Sequence, residues 1–229
     1  MTRQIERLRP HQIRDALAET SLIYLPLGTI EWHCHHLPVG LDGLTAHGLC
    51  LRAAEVTGGL VWPTLYYGTG GDHGDFPWTV MMPEAAEIEA LLTFTLRRLR
   101  DLGVKRVILF SGHFADSQLE MIDRIATGWT RHNPGLSVEP LSVNRAQVAE
   151  LPPDHAGLFE TTLMSGLARD LVDLGALSSE PETVHRFDPL SPLWGIVGTD
   201  PRLKPPMTGE DLVDGITRWL ASRALAGRA

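Results

Sequence analysis

Glu31, His33, His35, His36 and Asp42 fall within twelve consecutive positions, directly after an apolar run at 22–27. Carboxylate oxygens and imidazole nitrogens are the usual protein ligands of divalent cations. Five such groups are more than packing needs, and the stretch reads as half of a metal site. Glu31 and His33 are separated by one residue. On extended backbone that spacing turns both side chains to the same side, so they can converge on one ion or on two neighbouring ions. Asp42 stands at the N-cap position of the helix expected next, where a carboxylate serves equally well as a plain cap. Both readings stay open. Cys34 lies inside the stretch, but the hard carboxylates around it suit a ligand set without a thiolate.

The remaining ligands must come from elsewhere in the chain. Ser111-Gly112-His113 ends a second apolar run and places a histidine beside a tight turn, with Asp116 one turn further on. His155 and Glu160 form a third group. Glu160 lies among Leu158, Phe159, Leu163 and Met164, and a buried carboxylate needs a cation or hydrogen-bond donors. A metal ion or an Arg would meet that need. The glycine-rich segment 68–75 carries Asp72 and His73, and Trp78 follows. Its spacing and its lack of Lys exclude a phosphate cradle of the Gly-x-x-x-x-Gly-Lys type. Asp72 and His73 are expected to line a substrate pocket, with Trp78 offering a flat face for stacking.

The elements that must position these groups alternate between strand and helix. Strands are expected at 22–27, 60–62, 104–110 and 136–143, and helices at 10–18, 42–56, 83–102, 114–129, 155–174 and 211–225. The runs at 22–27 and 104–110 are unbroken and apolar, as in strands buried on both faces. This order predicts an α/β fold, three-layer α/β/α with a mostly parallel sheet, in one domain spanning 1–229. Ligands of such sheets sit at the carboxyl ends of the strands, the end from which Glu31, His33, Asp42 and His113 all emerge. Residues 178–208, rich in Pro, Ser and Gly, read either as a long surface loop or lid or as a plain connector packing on the core.

With 43% hydrophobic residues among 229, the chain has material for a core without staples. A formal charge of −8 argues against nucleic acid and anionic membranes as partners. No apolar run approaches the roughly 20 residues of a membrane span, and no apolar stretch follows the arginines of the first nine residues, so no secretory signal is expected. Only Cys34 and Cys50 are present, which predicts a cytoplasmic protein without disulfides.

Together the motifs resemble the creatininase (creatinine amidohydrolase) family. The segment from Leu25 to Asp42 is similar to the family signature, Ser111-Gly112-His113 to its Asn-Gly-His turn, and His155-Ala-Gly-Leu-Phe-Glu-Thr161 to its His-Ala-Gly-x-x-Glu-Thr/Ser motif. The segment from Gly68 to Thr79 resembles a loop that usually reads Glu-His-x-x-Phe-Pro-Gly-Thr. The resemblance implies an α/β/α fold in a ring-like homo-oligomer and two divalent metal ions, Zn²⁺ or Mn²⁺. By the same likeness Glu31, His33, Asp42 and His113 are metal ligands, with Asp42 bridging, and Glu160 is the remaining carboxylate. His155 corresponds to the catalytic histidine, which donates a proton to the leaving group. The family hydrolyses cyclic or formyl amides, and some members cleave a carbon–carbon bond in oxidised inositols.

This chain departs from the pattern at four places. Ala115 stands where creatininase has a metal-binding Glu, so Glu160 or Asp116 must serve the second ion. Ser111 replaces Asn, Asp72 replaces Glu, and Trp78 replaces Gly. The expected function is hydrolysis of a small cyclic carbonyl compound, either a polyol- or inositol-derived ketone or a cyclic amide. The alternative from another class is a metal- or ligand-binding protein without catalysis.

Overall fold

The computed structural model describes residues 2–148, 150–177 and 187–226. In chain order it contains α1 (Pro10–Glu19), β1 (Leu22–Leu27), α2 (Leu41–Thr57), β2 (Leu60–Val61), β3 (Gly68–Thr69), β4 (Met81–Met82), α3 (Ala86–Asp101), β5 (Arg106–Ser111), α4 (Asp116–His132), β6 (Ser137–Ser142), α5 (Leu158–Leu167) and α6 (Gly209–Leu225). Four strands form one parallel sheet in the order β2-β1-β5-β6, and β3 pairs with β4 in a separate two-stranded ladder.

Alternate residues of β1 and β5 feed different cores. Leu22, Tyr24, Ile108 and Phe110 pack against α2, α5 and α6, while Ile23, Leu25, Leu27, Val107 and Leu109 pack against α3 and α4. Helices on both faces explain why these strands are apolar throughout. The three-layer α/β/α architecture is therefore present. Each fully buried Leu or Ile contributes about 1.5–3 kcal/mol, so the strands that carry the site are also the best anchored.

Register sets the site's location. Leu27, the last residue of β1, lies opposite Ser111, the last of β5, and Ser111 lies opposite Ser142 of β6. The chain after β1 and the chain after β5 thus leave side by side at one edge. No described helix is long and apolar enough to cross a membrane.

Three expected elements differ in detail. Helix α3 starts at Ala86 rather than at 83, and only Ile88, Leu92, Leu96 and Leu99 face the core. Leu91 and Phe94 lie off that stripe and are exposed. Helix α5 spans Leu158–Leu167, not 155–174, because Ala168 turns extended with φ −155°. His155 accordingly lies in the loop before it. Of the predicted surface loop 178–208, residues 178–186 lie outside the described residues. Within the rest, the reading of a connector packed on the core fits: Leu193 and Ile196 are fully buried with Cys34, Leu41, Ala156 and Met164. Residues 193–199 form an inward-packed strap, and Val197 bridges to His155.

Candidate metal-dependent active site

Two glycines let α2 reach the end of the sheet. A Cβ at Gly28 would overlap the backbone of Gly43, and one at Gly112 would overlap the carbonyl of Asp42. The first turn of α2 is therefore pressed against the chain leaving β1 and β5, with Asp42 in it. Asp42 is the second residue of the helix. The N-cap is Gly40, so the expected cap role is not the one Asp42 fills. Its carboxylate, 1% exposed, points instead at two imidazoles.

The contacts bring distant residues together. His113 Nδ1 lies 3.1 Å from Glu31 Oε2 and 3.3 Å from Asp42 Oδ2. His33 Nε2 lies 3.3 Å from Asp42 Oδ1 and 3.6 Å from Glu160 Oε2. Glu160 is buried and receives the Ala156 N–H at 2.6 Å. No Arg is paired with Glu160 among the described residues, which removes the ordinary ion-pair reading.

Every imidazole in the cluster is held in the same manner. His33 Nδ1 is 2.9 Å from the Glu31 carbonyl, His113 Nε2 3.1 Å from that of Gly70, His73 Nε2 3.2 Å from that of Gly195, and His155 Nε2 2.9 Å from that of Trp32. A carbonyl only accepts, so each of these nitrogens carries the proton. In a neutral ring the other nitrogen then presents its lone pair. For His33 and His113 that lone pair faces carboxylate oxygens, an arrangement that repels unless a cation lies between. Glu31 Oε2, Asp42 Oδ2 and His33 Nε2 are buried without any hydrogen-bond partner. Orphaned acceptors facing one another, each ring oriented by a second hydrogen bond, suit divalent ions well.

The electrostatics agree. Burial opposes charge on His33, yet the charges of Asp42 and Glu160 outweigh it and lift the imidazole to about 10. His113 is likewise raised by Asp42 and Glu31 against its burial. Glu31 and Asp42 are pulled below the usual carboxylate range, against burial, by the imidazoles beside them. Burial, with Asp42 and Asp154 nearby, pushes Glu160 up. The carboxylates around His33 and His113 thus favour positive charge between them.

Ligand atoms around one ion lie roughly 3–4 Å apart, given metal–ligand bonds near 2.0–2.2 Å. Glu31, His33 and Asp42 place ligand atoms within 4.8 Å of one another, as do Glu31, His73 and His155, and His33, His155 and Glu160. Ring geometry separates these groups. His73 and His155 are stacked at 4.0 Å with planes 19° apart. An ion must lie in the plane of each ring that binds it, and stacked rings share no such point. The pair therefore does not chelate one ion as placed.

A family model described as creatinine amidohydrolase matches residues 6–224. The chain belongs to the creatininase family. The creatinine amidohydrolase of Pseudomonas putida is 30% identical over 207 residues, 80% of this chain and 76% of that one. The 3-dehydro-scyllo-inosose hydrolase of Thermotoga maritima is 30% identical over 103 residues, 44% of this chain and 33% of its own length. Among solved structures, a manganese creatininase superposes with a TM-score of 0.80 at 25% identity, covering 98% of both chains.

In this creatininase-family hydrolase the loop residues sort differently from their sequence reading. Asp72 is exposed at the rim of a cavity of about 180 Å³ that Glu31, Asp42, His113, His155 and Glu160 also line. His73, expected as a substrate contact, lines the same cavity and is buried in the cluster, with Nδ1 3.3 Å from Glu31 Oε1. Trp78 is 78% exposed, adopts φ 59°, and does not line the cavity. Asp116 is exposed in the first turn of α4 and takes no part in the cluster. Cys34 donates to the Pro192 carbonyl at 3.4 Å and packs in a small apolar core, so it is no ligand. A larger groove of about 800 Å³ beside α1 is lined mainly by apolar side chains and holds no cluster of ligating groups.

Two contributors escaped the sequence reading. Asp154 accepts the N–H groups of Phe159 and Glu160 at 3.0 and 3.3 Å and so fixes the start of α5. The strap supplies Val197 to the rim and the Gly195 carbonyl to His73. Trp194 of the strap stacks on Phe76 at 4.8 Å, and its carbonyl accepts from Trp32 Nε1 at 2.9 Å. The glycines of Trp194-Gly-Ile-Val-Gly198 were the available signal: a Cβ at Gly198 would overlap Asp154.

Proposed function

We propose that this protein hydrolyses a small cyclic carbonyl compound, using two divalent ions, Zn²⁺ or Mn²⁺. Glu31, Asp42 and His113 would hold one ion and His33, Asp42 and Glu160 the other, with Asp42 bridging. Glu160 takes the place left open by Ala115. The observation that carries the reading is the set of imidazoles pinned by main-chain carbonyls and turned toward three buried carboxylates. When bound, the ions would acidify a water and polarise the carbonyl it attacks.

The protein's own groups then manage the proton. Burial and the neighbouring His33 hold His155 down to about 3, so the ring is neutral with its proton on Nε2. Its Nδ1 faces the cavity, 3.9 Å from Glu31 Oε1. In this role Nδ1 takes the proton released by the water and passes it to the leaving atom, as general base and then general acid. His73, stacked on His155, keeps the ring in place. Water adds across the broken bond, hydroxyl to the carbonyl carbon and hydrogen to the leaving atom.

The wider similarity to a creatinine amidohydrolase favours a cyclic amide. A polyol- or inositol-derived ketone, cleaved at a carbon–carbon bond, is the second reading, favoured by the hydrogen-bonding groups Asp72 and Asp75 of the glycine-rich loop. A side-by-side screen of the ion-loaded protein with cyclic amides, lactones and keto-inositols decides between them. His155→Ala is expected to abolish turnover while retaining its ions. Turnover persisting in that variant removes His155 from the role, and a protein that binds ions but turns over nothing supports the binding-protein alternative.

A further inference from the structure

The mouth of the cavity carries information about the charge of what enters. Its lining includes no Lys or Arg. Three carboxylates, Glu31, Asp42 and Glu160, point inward at the ion positions. Asp72 is the one further acid of the lining. It has no hydrogen bond or ion-pair partner among the described residues and stays in solvent at the rim. Phe114, Ala115 and Val197 make the rest of the rim apolar. If the ions are held as proposed above, on which this inference rests, two dications and three carboxylates leave one net positive charge, which the hydroxide formed from the attacking water balances. An anion that displaces the hydroxide meets that positive charge. The unpaired charge of Asp72 opposes its entry.

We infer that Asp72 is a specificity-determining residue that opposes anions at the mouth, so that the substrate is a compact molecule without phosphate or carboxylate, offering a hydroxyl, amine or amidine donor to Asp72. The cavity, at about 180 Å³, is smaller than the ~300–1,000 Å³ of sites for drug-sized ligands, so the size limit points the same way. An anion entering meets Asp72 several ångström away at intermediate dielectric. Removing that charge changes anion affinity on the order of tenfold.

The test titrates the ion-loaded protein with inorganic phosphate, an anionic probe for the ions, and with acetamide, a carbonyl probe that stays uncharged. Asp72→Asn is expected to bind phosphate about tenfold more tightly than the unaltered protein, and Asp72→Lys more tightly still, with acetamide changed less than twofold. If both probes bind and phosphate affinity is the same in all three proteins, the inference about Asp72 is wrong and the metal centre stands. If neither probe binds the ion-loaded unaltered protein, the metal-centre reading fails and this inference with it. A matching kinetic result is expected in the substrate screen: carboxylated or phosphorylated analogues should turn over at less than a tenth of the kcat/KM of uncharged counterparts, and Asp72→Asn should narrow that gap. Equal turnover of both kinds in the unaltered protein overturns the inference.

Discussion

Asp42 touches both His33 and His113, and no other carboxylate of the cluster contacts two of its ligand histidines in this way. Its loss should therefore cost more ions than the loss of a terminal ligand. Asp42→Asn is expected to drop below one bound ion per chain by elemental analysis, with hydrolysis reduced at least a hundredfold. His113→Ala should retain one. Equal ion content in the two variants would rule out a bridging Asp42. A second prediction concerns His36, which donates or accepts at Thr161 Oγ1 at 2.9 Å and leaves Nδ1 buried and unpartnered. Burial and His33 hold it down to about 4. Between roughly pH 6.5 and 4 the unfolded chain takes a proton there that the folded one refuses, so stability falls as pH falls through that window. Urea unfolding at pH 7 and pH 5 should show a smaller loss for His36→Gln than for the unaltered protein.

The close contact of α2 with the ends of β1 and β5 depends on Gly28 and Gly112. Gly112→Ala is expected to destabilise by about 1–3 kcal/mol, as overpacked sites do, and to lower ion content as well, because the clash falls on the backbone of Asp42. Denaturant midpoints and elemental analysis check both. At the strap, Trp194→Ala removes the stacking on Phe76 and loosens Gly195 and Val197 from His73 and His155. The expected result is a lower kcat with ion content unchanged. Strands and site-bearing loops were legible in the sequence because apolar runs of β1 and β5 and the clustered ligands are local signals. His113 could be grouped with Glu31 since strand ends share an edge, whereas Glu160 was reached as a carboxylate among apolar residues of α5 and through the family likeness. The strap was legible only as one of two open readings: Leu193 and Ile196 are isolated apolar residues among Pro, Gly and Ser, and only the folded neighbours Cys34 and Met164 give them a core to enter. Trp78, expected to stack on substrate, is exposed and outside the cavity lining, and its positive φ leaves no trace in the spacing.

Over the whole molecule, ions and protons compete for the same buried charges. Removing the ions with a chelator should lower Tm by about 5–10 °C for each ion bound, relative to protein at a hundredfold excess over Kd, from about 2.7 kcal/mol of linkage per site in a chain of this size. With His33 raised to about 10 in the ion-free protein, its contribution is full below about pH 6.5 and is lost as pH climbs through 10. Ion-free protein should thus weaken steadily from about pH 6.5 up to pH 10 while ion-loaded protein does not, and ion affinity should increase with pH. Thermal unfolding across pH with and without chelator measures both effects. The carbonyls that hold the imidazoles belong to the main chain, at Glu31, Gly70, Gly195 and Trp32. No side-chain exchange can delete such an acceptor. Descendants of this chain can therefore exchange Asp72, Phe114 or Val197 and try new substrates at the mouth, while the orientation of the histidines behind it is inherited unchanged.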